Sequence, residues 1–94
     1  MKKANILITD NFDKDLLDKY SKKYKISYFP QIDLSDLSFI IHKYNILIIS
    51  TRLPFHNELI KKAKRLKLII RMGAGVDHID LNACKKNKIT VLKF

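Results

Sequence analysis

The sequence predicts an α/β domain built on a parallel five-stranded sheet. Three observations lead there. Short β-branched runs recur along the whole chain, segments with helical apolar spacing separate them, and four of the five runs are nearly continuous in Ile, Leu and Val. Such runs suit parallel strands buried on both faces.

The elements follow in order. Asn5–Thr9 reads as the first strand, and Phe12, Leu16, Tyr20 and Tyr24 then recur at the four-residue spacing of a helix stripe. Lys25–Phe29 is the second strand, followed by Leu34, Leu37, Ile41 and Tyr44. Ile46–Ser50 is the third, followed by Phe55, Leu59, Ala63 and Leu66. Lys67–Met72 is the fourth, a short helix lies around Leu81 to Cys84, and Ile89–Leu92 is the fifth strand. Asp10 or Asn11 can cap the first helix, Asp33 or Ser35 the second and Asp80 the fourth, each offering an oxygen to the free amides of a first turn. Pro54 suits the opening turn of the third, where its missing N–H costs nothing.

The order β-α-β-α-β-α-β-α-β, joined by right-handed crossovers, favours a doubly wound, flavodoxin-like sheet of order 2-1-3-4-5. That order puts the first helix on one face and the other three on the opposite face. Strands Ile46–Ile49, Leu68–Ile70 and Val91–Leu92 are apolar in both directions, so one sheet face is expected to be poorly covered. Leaving a few hundred Å² of it in water forgoes several kcal/mol of burial at about 25 cal/mol per Å². The expectation is a domain lacking its final covering helix, whose bare face pairs with a missing C-terminal part or another chain.

Ninety-four residues allow one small core. At 47% hydrophobic and 30% charged the chain is globular, which excludes disordered and low-complexity classes. The formal charge of +10 would point to polyanions, yet sixteen of the nineteen cations are Lys, beside abundant Ile and Asn. AT-rich codons produce that excess, so nucleic acid is not an expected partner. The run Lys61-Lys62-Ala63-Lys64-Arg65 lacks interleaved aromatics and reads as a solvated helix face. A lone Cys84 builds neither a disulfide nor a zinc knuckle and reads as a small buried residue. His42, His56 and His78 are scattered without metal spacing. Ile6-Leu7-Ile8 is too short for a signal peptide, and no apolar stretch approaches the roughly 18 residues of a membrane span. A cytoplasmic chain is expected.

The most specific motif is Leu68-Ile-Ile-Arg-Met-Gly73-Ala74-Gly75-Val76-Asp77-His78-Ile79-Asp80. Strand, glycine turn and helix suggest a dinucleotide fingerprint, but His78 stands at the third glycine position and no acid follows about 20 residues on. Two other readings of the turn are open. Gly73 and Gly75 simply allow a tight turn, or the amides of Ala74 and Gly75 point into the crevice as an anion site.

With Asn45–Arg52, Glu58–Leu81 and Lys88–Val91, and beginning at Ile6-Leu-Ile-Thr-Asp10, this motif resembles the amino-terminal part of D-isomer-specific 2-hydroxyacid dehydrogenases, most closely the phosphoglycerate dehydrogenase branch of serine biosynthesis. The resemblance covers essentially the whole chain. It implies that residues 1–94 are part of a substrate-binding domain, and that the cofactor domain, with NAD and the catalytic Arg, Glu and His, is absent. No cofactor is expected on this chain alone. The resemblance assigns the amides of Ala74 and Gly75 to the carboxylate of a small 2-hydroxy acid, phosphorylated or not, with Gly73 shaping the turn and the loop Ser50-Thr51-Arg52 contacting substrate. Ser50 stands where the family usually has Arg, with Arg52 two residues later. Lys88 stands where it commonly has Gly; a left-handed backbone there would cost Lys about 1 kcal/mol unless Asn87 takes the turn.

The expected function is therefore an acid-binding fragment of an NAD-dependent oxidoreductase, without turnover alone. One alternative is a receiver-like signalling domain of the same strand order, but Ser50 and Thr51 occupy the phosphoacceptor position and Asp10 lacks the second acid of a metal pair. A second is a small basic binding module for nucleic acid or a partner protein, distinguishable by a steep salt dependence.

Overall fold

A computed structural model of the chain describes residues 4–50, 52–72 and 79–93. Five parallel strands, β1 (Asn5–Ile8), β2 (Lys25–Tyr28), β3 (Ile46–Ile49), β4 (Leu68–Arg71) and β5 (Thr90–Lys93), form one sheet in the order β2-β1-β3-β4-β5. The helices between them are α1 (Lys14–Tyr20), α2 (Leu34–Ile40) with a 3-10 turn at Ile41–Lys43, α3 (Asn57–Lys62) and α4 (Leu81–Lys86). The expected order and every expected strand are present, each strand boundary within a residue of the sequence reading.

Packing is asymmetric across the sheet. Leu7, Leu47, Ile49 and Ile69 point one way and join Leu37, Ile41, Phe55, Ile60, Ala83 and Cys84 in a single core under α2, α3 and α4. On the other face Ile6 and Ile8 are buried, Ile46, Ile48, Leu68 and Ile70 only half-buried, and Leu92 is 45% exposed. Parallel crossovers that reverse direction at β1 distribute the helices one against three.

Local chemistry corrects several details. Neither Asp10 nor Asn11 caps α1; Asp13 does, its side chain accepting from the amides of Asp15 and Leu16. The four-residue stripe on α1 does not turn inward, for Leu16, Tyr20 and Tyr24 are about 40% exposed. The helix is only seven residues long and Tyr24 lies beyond it, so the period is not carried through. Asp33 and Asp80 cap α2 and α4 as the spacing predicts. Pro54 precedes α3 rather than opening it, and the N-cap is His56. Lys88 has φ of 59° and Asn87 of −96°, so the lysine itself takes the left-handed backbone. Among the described residues no helix is long and apolar enough to cross a membrane.

Candidate functional site

In a sheet of this order the topological switch lies between β1 and β3, and crevices outside the carboxyl ends of such strands are where open α/β sheets hold ligands. Two polar residues follow the apolar run of β1. Thr9 and Asp10 are both buried, and Ser50 follows β3 beside them. The Thr9 amide donates to the Ile48 carbonyl at 3.2 Å, which keeps the two chain ends side by side.

Asp10 is the hub of this crevice. Its Oδ2 accepts from the Ser50 amide at 2.9 Å and the Thr9 hydroxyl at 3.1 Å, while Oδ1 accepts from Arg52 Nε at 3.0 Å. Arg52 also donates from Nη1 to the Ile32 carbonyl at 2.8 Å and from Nη2 to the Thr9 carbonyl. One guanidinium thus joins the end of β1, the β2–α2 connection and the loop after β3. A planar fork with five donors suits this task better than a lysine. Burial pushes the Asp10 carboxyl up, but the Ser50 amide, the Arg52 guanidinium and the Ser50 and Thr9 hydroxyls together hold it below the ordinary value.

The second flank comes from β4. The Met72 amide donates to the Ile49 carbonyl at 2.9 Å. Further along, Phe55 and Ile79 form an isolated parallel bridge, and the Asp80 amide donates to the Phe55 carbonyl at 3.1 Å. The chain leaving β3 and the chain re-entering α4 are therefore fastened together at the carboxyl edge. Phe55 is completely buried beneath this contact. Arg71, the last residue of β4, is also completely buried.

Of the residues singled out by sequence, Ser50 and Arg52 meet around Asp10. Thr51, Gly73, Ala74 and Gly75 lie outside the described residues, as does His78. His42 and His56 are exposed on separate segments, and among the described residues no three potential metal ligands gather. Cys84 is buried in the core; burial and then the charge of Asp80 push its thiol up to about 11. Asp10 as an ion-pair partner is the residue that sequence reasoning missed. The available signal was a carboxylate directly after a fully apolar strand at the predicted switch point, where it must be paired to be buried.

A family model described as "D-isomer specific 2-hydroxyacid dehydrogenase, catalytic domain" matches residues 6–94. The chain is 32% identical over 85 residues to a glyoxylate/hydroxypyruvate reductase of Arabidopsis thaliana, covering 90% of this chain and 24% of that protein. It is 29% identical over 89 residues to a D-3-phosphoglycerate dehydrogenase of Archaeoglobus fulgidus, covering 93% and 17%. The solved PH0520 protein of Pyrococcus horikoshii superposes with a TM-score of 0.92 at 24% identity, over 98% of this chain and 28% of that one. The chain thus spans a quarter or less of the length of these curated relatives.

Proposed function

The chain belongs to the D-isomer-specific 2-hydroxyacid dehydrogenase family, and from that premise we propose that it is the acid-holding portion of such an enzyme, acting on a small 2-hydroxy or 2-oxo acid. The observation that carries this reading is the fastening of the loop after β3 to the β4–α4 connection at the carboxyl edge, through Phe55 and Ile79. In this reading the backbone amides of Ala74 and Gly75, with Gly73 and the loop Ser50-Thr51-Arg52, make up the acid site. Backbone amides suit a carboxylate because they add positive dipoles without a flexible charge that must be ordered.

Arg52 enters this reading by holding the loop with three of its five N–H donors, which leaves two to meet the acid. The described residues do not fit a dinucleotide. The one carboxylate at the switch point, Asp10, is engaged by Arg52, Ser50 and Thr9, which leaves none there to accept from a ribose hydroxyl. In this reading hydride exchange with NAD belongs to the part of the relatives that this chain does not match, and the 94 residues alone are expected to bind acid without turnover. A cytoplasmic location and a phosphoglycerate-type substrate belong to the same reading.

The test is an amide-resolved NMR titration of the isotopically labelled chain with hydroxypyruvate, 3-phosphoglycerate and NAD separately. Saturable shifts at Ala74 and Gly75 are expected with an acid and none with NAD. Shifts confined to residues away from the carboxyl edge, or reduction of NAD by this chain, would overturn the reading.

A further inference from the structure

Apart from Asp18 in the last turn of α1, the acids of the described residues and the bases of the connections entering β2 to β5 are sorted along the strand direction. Asp10 lies at the carboxyl end of β1, Asp33 and Asp80 cap α2 and α4, and Asp15, Asp36 and Glu58 occupy first turns. All belong to the carboxyl edge. At the amino edge the four connections entering β2 to β5 carry Lys23 and Lys25, then Lys43, then Lys64, Arg65 and Lys67, then Lys88, all exposed and without an Asp or Glu among them. Part of this sorting is the ordinary complement of the helix dipole, which favours acids at helix starts and bases at helix ends. Lys43 closes the 3-10 turn at Ile41–Lys43, but the other residues lie beyond the helix ends.

Backbone bonds put the connections at one level. The Lys25 amide donates to the Ala4 carbonyl, Asn45 to Asn5, Lys67 to Asn45 and Thr90 to Lys67. With strands about 4.8 Å apart, the row from β2 to β5 is about 19 Å long. A groove of about 380 Å³ in it is lined by Asn5, Lys25, Ile26, Ser27, Lys43 and Tyr44. Lys88 completes the row at φ of 59°, in the left-handed region that favours glycine.

We propose that this amino edge is a docking surface for the phosphate backbone of a nucleic-acid duplex. A row of cations without acids matches a row of phosphates. Tyr24 is the one exposed large apolar side chain in the four connections, which provides neither the stacking platform that single strands use nor the apolar anchor of a membrane surface. Lysine in place of arginine gives point charges rather than base-reading forks, so binding is indifferent to sequence. The scattered Lys of the sequence become one surface only when the parallel topology brings all four entering connections to the same edge.

A duplex strand carries one phosphate per about 3.4 Å of axis, so a row of about 19 Å faces about five. The test is fluorescence anisotropy of the full chain against a labelled 20-base-pair duplex of arbitrary sequence. Affinity should fall about 500-fold between 50 and 200 mM salt, from a slope of about −0.9 per phosphate. Lys43→Glu with Lys67→Glu should weaken binding more than about tenfold and lower the slope by about two. Lys14→Glu with Lys93→Glu makes the same change in net charge at the carboxyl edge and should change affinity less than about threefold. If charge reversal unfolds the chain by circular dichroism, Lys43→Gln with Lys67→Gln against Lys14→Gln with Lys93→Gln carries the comparison. Equal losses from the two pairs would overturn the edge assignment. Absence of duplex binding, or tighter binding to phosphatidylserine vesicles than to the duplex, would overturn the choice of partner.

Discussion

Replacing Asp10 by Asn tests whether the clamp at the switch point holds the carboxyl edge together. The carboxylate receives three donors, two on Oδ2 and one on Oδ1, from residues in two different segments. An asparagine of the same shape accepts through one oxygen only, so its amide nitrogen must face either the Arg52 guanidinium or the Ser50 amide, donor against donor. A buried group left unsatisfied costs about 1–3 kcal/mol, and a bond to a charged group contributes about 1.5–3 kcal/mol. Arg52 is 38% exposed in its side chain, which puts the loss near the lower end, about 2 kcal/mol. For a domain of this size that lowers the melting temperature by about 8–16 °C. The pH dependence gives the sign. The folded Asp10 carboxyl sits below its unfolded value, so its contribution is complete above the unfolded value and is lost as pH falls through the folded one, below about pH 4. Thermal melts by circular dichroism at pH 7 and pH 2.5 should therefore show a gap between parent and Asp10→Asn that narrows in acid. A gap under about 0.5 kcal/mol at pH 7, or one that persists undiminished in acid, would refute the clamp.

Lys88→Gly should raise the denaturation midpoint by an amount equivalent to about 0.5–1 kcal/mol, since the left-handed backbone at φ of 59° penalises a Cβ that glycine lacks; an unchanged or lower midpoint in guanidinium would show that this turn carries no strain. Cys84, with its thiol raised to about 11 and its side chain in the core, should react with a disulfide reagent at pH 8 at least a hundredfold more slowly in the native chain than in 6 M guanidinium. Equal rates would mean that α4 opens freely.

The fold was legible because the two apolar periods of the chain do not overlap. Runs such as Ile46-Leu-Ile-Ile49 are too short for buried helices and too continuous for half-exposed strands, which leaves the interior of a parallel sheet. What failed was local. The spacing of Phe12, Leu16, Tyr20 and Tyr24 promised an inward stripe on α1, yet the chain spends Phe12 and Asp13 on entering the helix and leaves it at Tyr20. A stripe has meaning only across residues that are helical together. At the site, Arg52 was visible as a cation in a loop, but its direction was not. Whether a guanidinium faces a ligand or its own chain depends on Asp10, 42 positions away in sequence, and a pairing at that range follows from topology rather than from any local pattern. The left-handed backbone at Lys88 could be anticipated because a helix end demands it and the following strand begins two residues later.

The two polar ends of the molecule act separately. The four-residue strands span about 13 Å at about 3.3 Å per residue, more than the screening length of about 8 Å at physiological ionic strength. Exposed lysines of the amino edge therefore contribute little field at the crevice between β1 and β3. There the positive charge of Arg52 is matched by Asp10. On the proposed function, recognition of a carboxylate there rests on backbone amides rather than on attraction between opposite charges. It follows that acid binding at the carboxyl edge should weaken only slightly between 50 and 200 mM salt, where a polyanion at the amino edge loses most of its affinity. The contrast in salt dependence separates the two surfaces in a single preparation of the chain.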